Sequence, residues 1–204
     1  IGLINKYGRE KGERGLPKLL PGLNFIAGLN GETSQTYQMN FDLLKEIKDE
    51  GHWLRRINLR QVEGLGFQEV NEADFSNFKQ RVRDDFDAKW LEEMLPVGQK
   101  LGKVWWESHD SRTRLPRHLD ESCRVEEIRG KAGVSFGRQI GAYPILIGMP
   151  YLAPLESQSE VIVVGHGKRS ITAVESQIPF KSATMAQLRS IPGIGEKAAW
   201  RLVS

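Results

Sequence analysis

Residues 23–62 read, in order, as a strand, a glycine loop, an amphipathic helix and a second strand, and that order leaves few folds open. A strand–helix–strand unit of this length joins two parallel strands by a right-handed crossover. The first strand spans residues 23–27, the loop 28–33, and the second strand 56–62. The loop opens at the carboxyl end of the first strand, where α/β folds place their chemistry. Between the strands, Tyr37, Phe41, Leu44 and Ile47 recur at helical spacing, with Leu43 beside them. Thr33 suits the N-cap of this helix, and Gly51 stands where a helix ends on a left-handed residue. Alternation sorts the strand side chains. Phe25, Ala27, Ile57 and Leu59 turn toward the helix layer, and Asn24, Ile26, Asn58 and Arg60 share the other face. A buried sheet face with two asparagines and an arginine makes a poor core and a good pocket.

The run Ile26-Ala27-Gly28-Leu29-Asn30-Gly31-Glu32-Thr33 resembles the strand-five signature of radical S-adenosylmethionine (radical SAM) enzymes, commonly Ile-x-Gly-x-Pro-Gly-Glu-Thr. With the later motifs described below, the resemblance is to archaeal-type radical SAM enzymes that end in a helix-hairpin-helix. It covers most of the chain, and only the later part of such an enzyme. It implies that Ile26 and Gly28 support the adenine of S-adenosylmethionine and that Gln61 and Val62 approach it from the next strand. Asn24, Asn58 and Arg60 would then line the pocket and meet the carboxylate of methionine or of substrate. None of these is a radical-generating residue. The family holds a [4Fe–4S] cluster on three cysteines, usually Cys-x-x-x-Cys-x-x-Cys, whereas Cys123 is the one cysteine here. A single thiolate leaves such a cluster under-ligated, so this chain is expected to bind none. The sequence begins at Ile1 without a methionine and ends within a helical pattern, which reads as a fragment whose catalytic centre and cluster belong to the upstream part of the same polypeptide.

Composition sets the class more loosely. Hydrophobic residues make up 39% and charged residues 27% of 204, as in soluble globular proteins long enough for one large or two smaller domains. No apolar run approaches the ~20 residues of a membrane span, and no signal-peptide pattern opens the chain. A lone cysteine gives no disulfide framework and fits a reducing cytoplasm. The formal charge of +3 mildly favours an anionic partner.

Residues 1–7 read as the end of a helix. A basic, glycine-rich loop with Arg9, Lys11 and Arg14 follows, a solvated connection more than a phosphate site. A helix is expected over 72–94, with Phe75, Phe78, Val82, Phe86 and Trp90 on its core face and Asp84, Asp85 and Asp87 on a solvated one. Pro96 marks a boundary. Short β segments then fall at 103–107, 134–136, 145–147, 161–164 and 170–174, the spacing of a small antiparallel barrel or sandwich. Of the adjacent Trp105 and Trp106 only one can be buried in a strand, leaving the other for an interface or for stacking. His166, between two glycines, reads as a turn residue, and His109 and His118 lack the company of a zinc site.

Residues 136–144 and 164–170 resemble parts of the TRAM barrel of RNA-modifying radical SAM methylthiotransferases, and 109–129 is a charged insert that fits that pattern poorly. Arg138, Lys168 and Arg169 are the candidates there for RNA backbone contact. Near the end, Ser182 or Thr184 can cap a short helix. Residues 192–199 turn into another helix and resemble a helix-hairpin-helix, in which Gly193 and Gly195 let a phosphate approach backbone amides beside Lys197. Such hairpins also serve as packing units.

The expected architecture is α/β plus β. Residues 1–95 form the last part of a radical SAM partial (β/α) barrel, 96–176 a TRAM/OB-like β-barrel, and 177–204 a truncated helix-hairpin-helix. By resemblance the complete enzyme cleaves S-adenosylmethionine reductively at its cluster and abstracts hydrogen with the resulting radical, with tRNA or another nucleic acid as a candidate substrate. The competing class is a non-catalytic nucleic-acid-binding module made of the β-barrel and the hairpin.

Overall fold

The computed structural model of the chain describes residues 1–110, 130, 132–140 and 145–203. They fall into two compact units, Ile1–Gly12 with Leu16–Met94, and Glu13–Gly15 with Leu95–Ser204. Among the described residues no helix is long and apolar enough to cross a membrane.

The first unit contains α1 (Gly2–Gly8), β1 (Gly22–Ala27), α2 (Ser34–Asp49), β2 (Arg56–Gln61), α3 (Glu72–Val82), a π-helical turn (Arg83–Asp87) and α4 (Ala88–Met94). β1 and β2 pair in parallel, with Asn24 opposite Asn58 and Ile26 opposite Arg60. α2 begins where the sequence places its cap: Thr33 is extended, and its N–H donates to the Thr36 hydroxyl at 3.1 Å. It ends at Gly51, whose φ of +74° only glycine adopts without strain. Tyr37, Leu44 and Ile47 are buried, whereas Leu43 is left exposed. The α3 stripe meets them: Phe78 lies 5.5 Å from Tyr37 and edge-on to Phe25 at 5.9 Å, and Phe86 lies 5.0 Å from Phe41, between ring centroids. Each such pair adds about 0.5–1.5 kcal/mol beyond its buried area.

The expected single helix over 72–94 carries a π turn, closed by the Ala88 N–H donating to the Arg83 carbonyl. The extra residue in that turn rotates the polar positions. Asp87, expected on the solvated face, instead pairs with Arg83 with both side chains largely buried, and Arg83 also donates to the Ile57 carbonyl at 2.9 Å. The basic loop is pinned locally: the Arg9 guanidinium stacks 3.7 Å from the Trp53 ring centroid and donates to the Gly51 carbonyl, and Lys18 pairs with Glu10 at 2.7 Å.

The second unit is a closed five-stranded barrel of β3 (Lys100–His109), β4 (Ser135–Gln139), β5 (Leu146–Met149), β6 (Gln158–His166) and β7 (Ser170–Glu175), in the order β3-β4-β5-β7-β6. It is not wholly antiparallel as expected, because β7 inserts between β6 and β5 and runs parallel to β5. A bulge in β3 between Leu101 and Val104, with Lys103 at φ +53°, helps that strand to coil around the barrel. Leu101, Val104, Trp106, Ile147, Met149, Val161, Val163 and Ile171 fill the inside. Trp106 is the buried member of its pair and donates from its indole N–H to the Ser159 hydroxyl at 2.8 Å. It has room because Gly137 faces it: a Cβ there would stand 2.7 Å from the indole ring. His166 ends β6 instead of sitting in the turn, and its Nε2 is 2.6 Å from the Leu95 carbonyl.

The tail consists of α5 (Met185–Arg189) and α6 (Glu196–Val203), and it belongs to the same compact unit as the barrel. Thr184, not Ser182, caps α5, accepting the Gln187 N–H at 3.3 Å while its hydroxyl reaches the Gly130 carbonyl at 2.5 Å. The Gln187 side chain donates to buried Glu175 at 3.1 Å, joining the hairpin to the end of β7.

Candidate functional site

The carboxyl ends of β1 and β2 are held by a clasp of side chains. Gly28 is buried with φ +95°, and a Cβ on it would stand 2.6 Å from the Val62 carbonyl oxygen. Only glycine allows the two strand ends to come so close. The Glu32 carboxylate folds back to accept the Gly28 N–H at 3.2 Å and the Tyr37 hydroxyl. Burial first, and then this bond to a carboxylate, push the Tyr37 phenol well above its ordinary pKa. From the loop after β2, Gln68 accepts the Gly31 N–H at 3.2 Å and donates to the Glu32 carbonyl at 2.8 Å, and the Gln68 N–H donates to the Gly28 carbonyl at 2.9 Å. Asn30 donates to the Gly66 carbonyl at 2.8 Å. The sequence marks Tyr37 only as part of the apolar stripe of α2, and it gives Glu32 and Gln68 no role. Glu32 lies inside the glycine motif and was within reach, whereas Gln68 acts from the far side of β2, where no local pattern marks it.

Asn24, Ile26, Asn58 and Arg60 do share one sheet face. Asn58 donates to the Asn24 side-chain oxygen at 2.8 Å, and Ile26 lies opposite Arg60. The expectation that this face is buried needs correcting: Ile26 is 46% exposed, and Asn24 and Arg60 are exposed as well, because no described element packs over them. Val62 follows the end of β2, its N–H donating to the Ala27 carbonyl at 2.9 Å, and it borders the same cleft as Gln61. Gln61 does not share the open face. It is in register with Ala27 on the helix-facing side and donates to Glu72, at the start of α3, at 2.6 Å.

Two clefts flank the clasp. One of about 420 Å³ runs along the free side of β1 and includes Asn24, Ile26, Leu29, Asn30 and Asn40. The other, of about 390 Å³, includes Gln61, Val62, Phe67, Gln68 and Glu72. Together they offer apolar ledges beside amides, carboxylates and backbone, the mixture that holds a polar heterocycle. Among the described residues no group of three or more histidines, cysteines and acids gathers as for a metal.

In the barrel, Arg138 lies half-exposed on β4, paired with Glu107, while Lys168 and Arg169 occupy the exposed turn between β6 and β7. In the hairpin, Gly193 takes φ +88°, open space surrounds both Gly193 and Gly195, and Lys197 is exposed on the first turn of α6. Basic residues outnumber acids from residue 96 onward, whereas acids outnumber bases before it, so the excess positive charge belongs to the barrel and hairpin sequence. Cys123, His118 and the rest of the expected insert from 111 to 129 lie outside the described residues, as do residues 141–144 of the stretch 136–144.

No family model matches the chain. An uncharacterized protein of Archaeoglobus fulgidus is 36% identical over 203 residues, which cover 95% of this chain and 34% of that protein. An uncharacterized protein of Methanocaldococcus jannaschii is 34% identical over 183 residues, covering 84% of this chain and 30% of its own length. The chain therefore spans about a third of the length of the curated relatives it matches.

Proposed function

We propose that this chain is the later part of a radical SAM enzyme whose substrate is tRNA or another nucleic acid. The observation that carries the reading is the clasped glycine loop at the carboxyl ends of two parallel strands, next to an outward polar face of Asn24, Asn58 and Arg60. Parallel strands normally have both faces covered. An open one bearing amides and a guanidinium suits a barrel interior completed by residues outside this sequence, and relatives about three times as long are compatible with that. Within the site, Ile26 gives an adenine an apolar edge, Gly28 keeps backbone, not side chain, beneath it, and Val62 lies in the neighbouring cleft. Arg60 supplies the fixed positive charge that a methionine or substrate carboxylate needs. When bound, S-adenosylmethionine supplies the reactive sulfonium and adenosyl group. The role of this chain is to orient it. One cysteine does not fit a [4Fe–4S] cluster, and no step is assigned to one on these residues.

The barrel and hairpin are the substrate-holding part of this reading. Their excess of basic residues, and a strand order like that of Greek-key oligonucleotide-binding barrels, support it. A cytoplasmic location belongs to the same proposal, and the lone cysteine supports it. The test of the cofactor site is calorimetric titration of S-adenosylmethionine into the complete polypeptide. Arg60→Ala should weaken binding at least about tenfold, the worth of one charged hydrogen bond. Unchanged affinity in a variant that melts early would make Arg60 a structural residue.

A further inference from the structure

We infer that the outer wall of the barrel carries a stacking platform for an unpaired base of a single nucleic-acid strand, built on Trp105 with Phe136 and Arg138. The inference rests on the proposed nucleic-acid role of this unit and assigns it a site.

The register places these groups together. Trp106 and Gly137 are opposed in the β3–β4 ladder and point inward, so the neighbouring pair, Trp105 and Arg138, points outward. Trp105 is left half-buried, with an indole the interior does not need. Directly opposed outward pairs stand close enough to act on one ligand. Phe136, two residues before Arg138, shares that face. It is paired with Gly148 on β5, and its ring comes within 3.6 Å of where a Cβ of Gly148 would be, so the phenyl leans over that glycine. The result is two aromatic groups and a guanidinium on adjacent strands, with a glycine leaving the wall low beside them.

Charge favours a polyanion over an apolar partner. Gly137 pairs with Ile147, so Arg138 is next opposed to Leu146, and Leu146 pairs with Ser170 at the start of β7. Lys168 and Arg169 immediately precede Ser170. A row thus leads across the wall from Trp105 through Arg138 and Leu146 to the basic turn. Arg138 is engaged with Glu107, but both side chains are more than a third exposed, and an exposed pair of this kind costs little to exchange for a phosphate. Bases stack on aromatic side chains whatever their identity, while cations track the backbone. A double helix keeps its bases stacked on one another and offers no face to Trp105, so the occupant is a single strand.

The test uses the full 204-residue chain and fluorescein-labelled 12-mers of oligo(U) and oligo(dT), an abasic 12-mer and a duplex, read by fluorescence anisotropy across a salt series. Trp105→Ala should weaken binding of the single strands about 5- to 150-fold, the worth of one stacked base. It should leave the salt slope and the affinity for the abasic strand unchanged. Arg138→Ala should instead flatten the salt slope by about 0.7 for each strand, since it removes one phosphate contact. Trp105→Phe, which keeps an aromatic face, should retain most of the affinity and covers the case in which the alanine variant fails to fold. A preference between oligo(U) and oligo(dT) distinguishes RNA from DNA as the occupant. If the wild-type chain binds single strands and Trp105→Ala binds them equally well, the platform is refuted and the nucleic-acid role stands. If the wild-type chain binds no strand at low salt, the nucleic-acid role fails and the platform fails with it.

Discussion

Replacing Gly28 by alanine tests the geometry on which the candidate site depends. Two separate costs are expected. The left-handed backbone, at φ +95°, is strained for any residue with a Cβ by about 1–2 kcal/mol. The new methyl would also stand 2.6 Å from the Val62 carbonyl oxygen, an atom of β2 backbone that cannot rotate away. Forced overpacking of this kind costs roughly a further 1–3 kcal/mol. Gly31→Ala is the matched control, because Gly31 has nearly the same φ, +87°, with nothing within 4 Å of its Cβ position. Only the strain should apply there. Urea denaturation of the two variants, followed by far-UV circular dichroism, should therefore place Gly28→Ala about 1–3 kcal/mol below Gly31→Ala. Equal losses would mean that the strand ends are not in close contact and that the clasp does not hold them.

Three further outcomes are expected. Trp106→Ala, emptying the barrel interior and leaving the Ser159 hydroxyl without its indole donor, should cost about 3–5 kcal/mol in the same denaturation assay; a loss under 1 kcal/mol would place Trp106 outside the core. Tyr37 has its phenol raised in the folded state, so its contribution is intact below the ordinary tyrosine pKa of about 10 and is lost as pH rises above it. Thermal melts across that alkaline range should fall less steeply for Tyr37→Phe than for wild type, and identical slopes would deny that burial and the Glu32 bond together hold the phenol protonated. Anaerobic incubation of this chain with iron and sulfide should give no absorbance of a stoichiometric [4Fe–4S] centre, since one thiolate cannot hold it.

Local signals are legible in single residues. Thr33 and Gly51 bracket α2 because cap chemistry and a left-handed terminus are properties of single residues. The five β segments lie where short apolar alternation between glycines and prolines places them. What escaped is non-local. The π turn that draws Asp87 inward depends on where α3 must meet the core, which the spacing of the aromatic residues does not encode. The resemblance sets Gln61 beside the adenine, yet the register puts it opposite Ala27 on the helix-facing side. Gln68 joins the clasp from a loop without pattern, and the parallel β5–β7 pairing closes the barrel through a choice of neighbour that no strand announces by itself. The open face of Asn24, Asn58 and Arg60 was legible as polar, while its exposure in this unit followed only from seeing what packs around it.

We propose above that these residues orient S-adenosylmethionine in a radical enzyme. The most direct test is production of 5′-deoxyadenosine by the complete polypeptide, reconstituted anaerobically with iron and sulfide, reduced, and given S-adenosylmethionine. The wild type should form 5′-deoxyadenosine, and Arg60→Ala substantially less at limiting S-adenosylmethionine. A complete polypeptide that takes up no cluster and forms none of the product, while remaining folded, would contradict it.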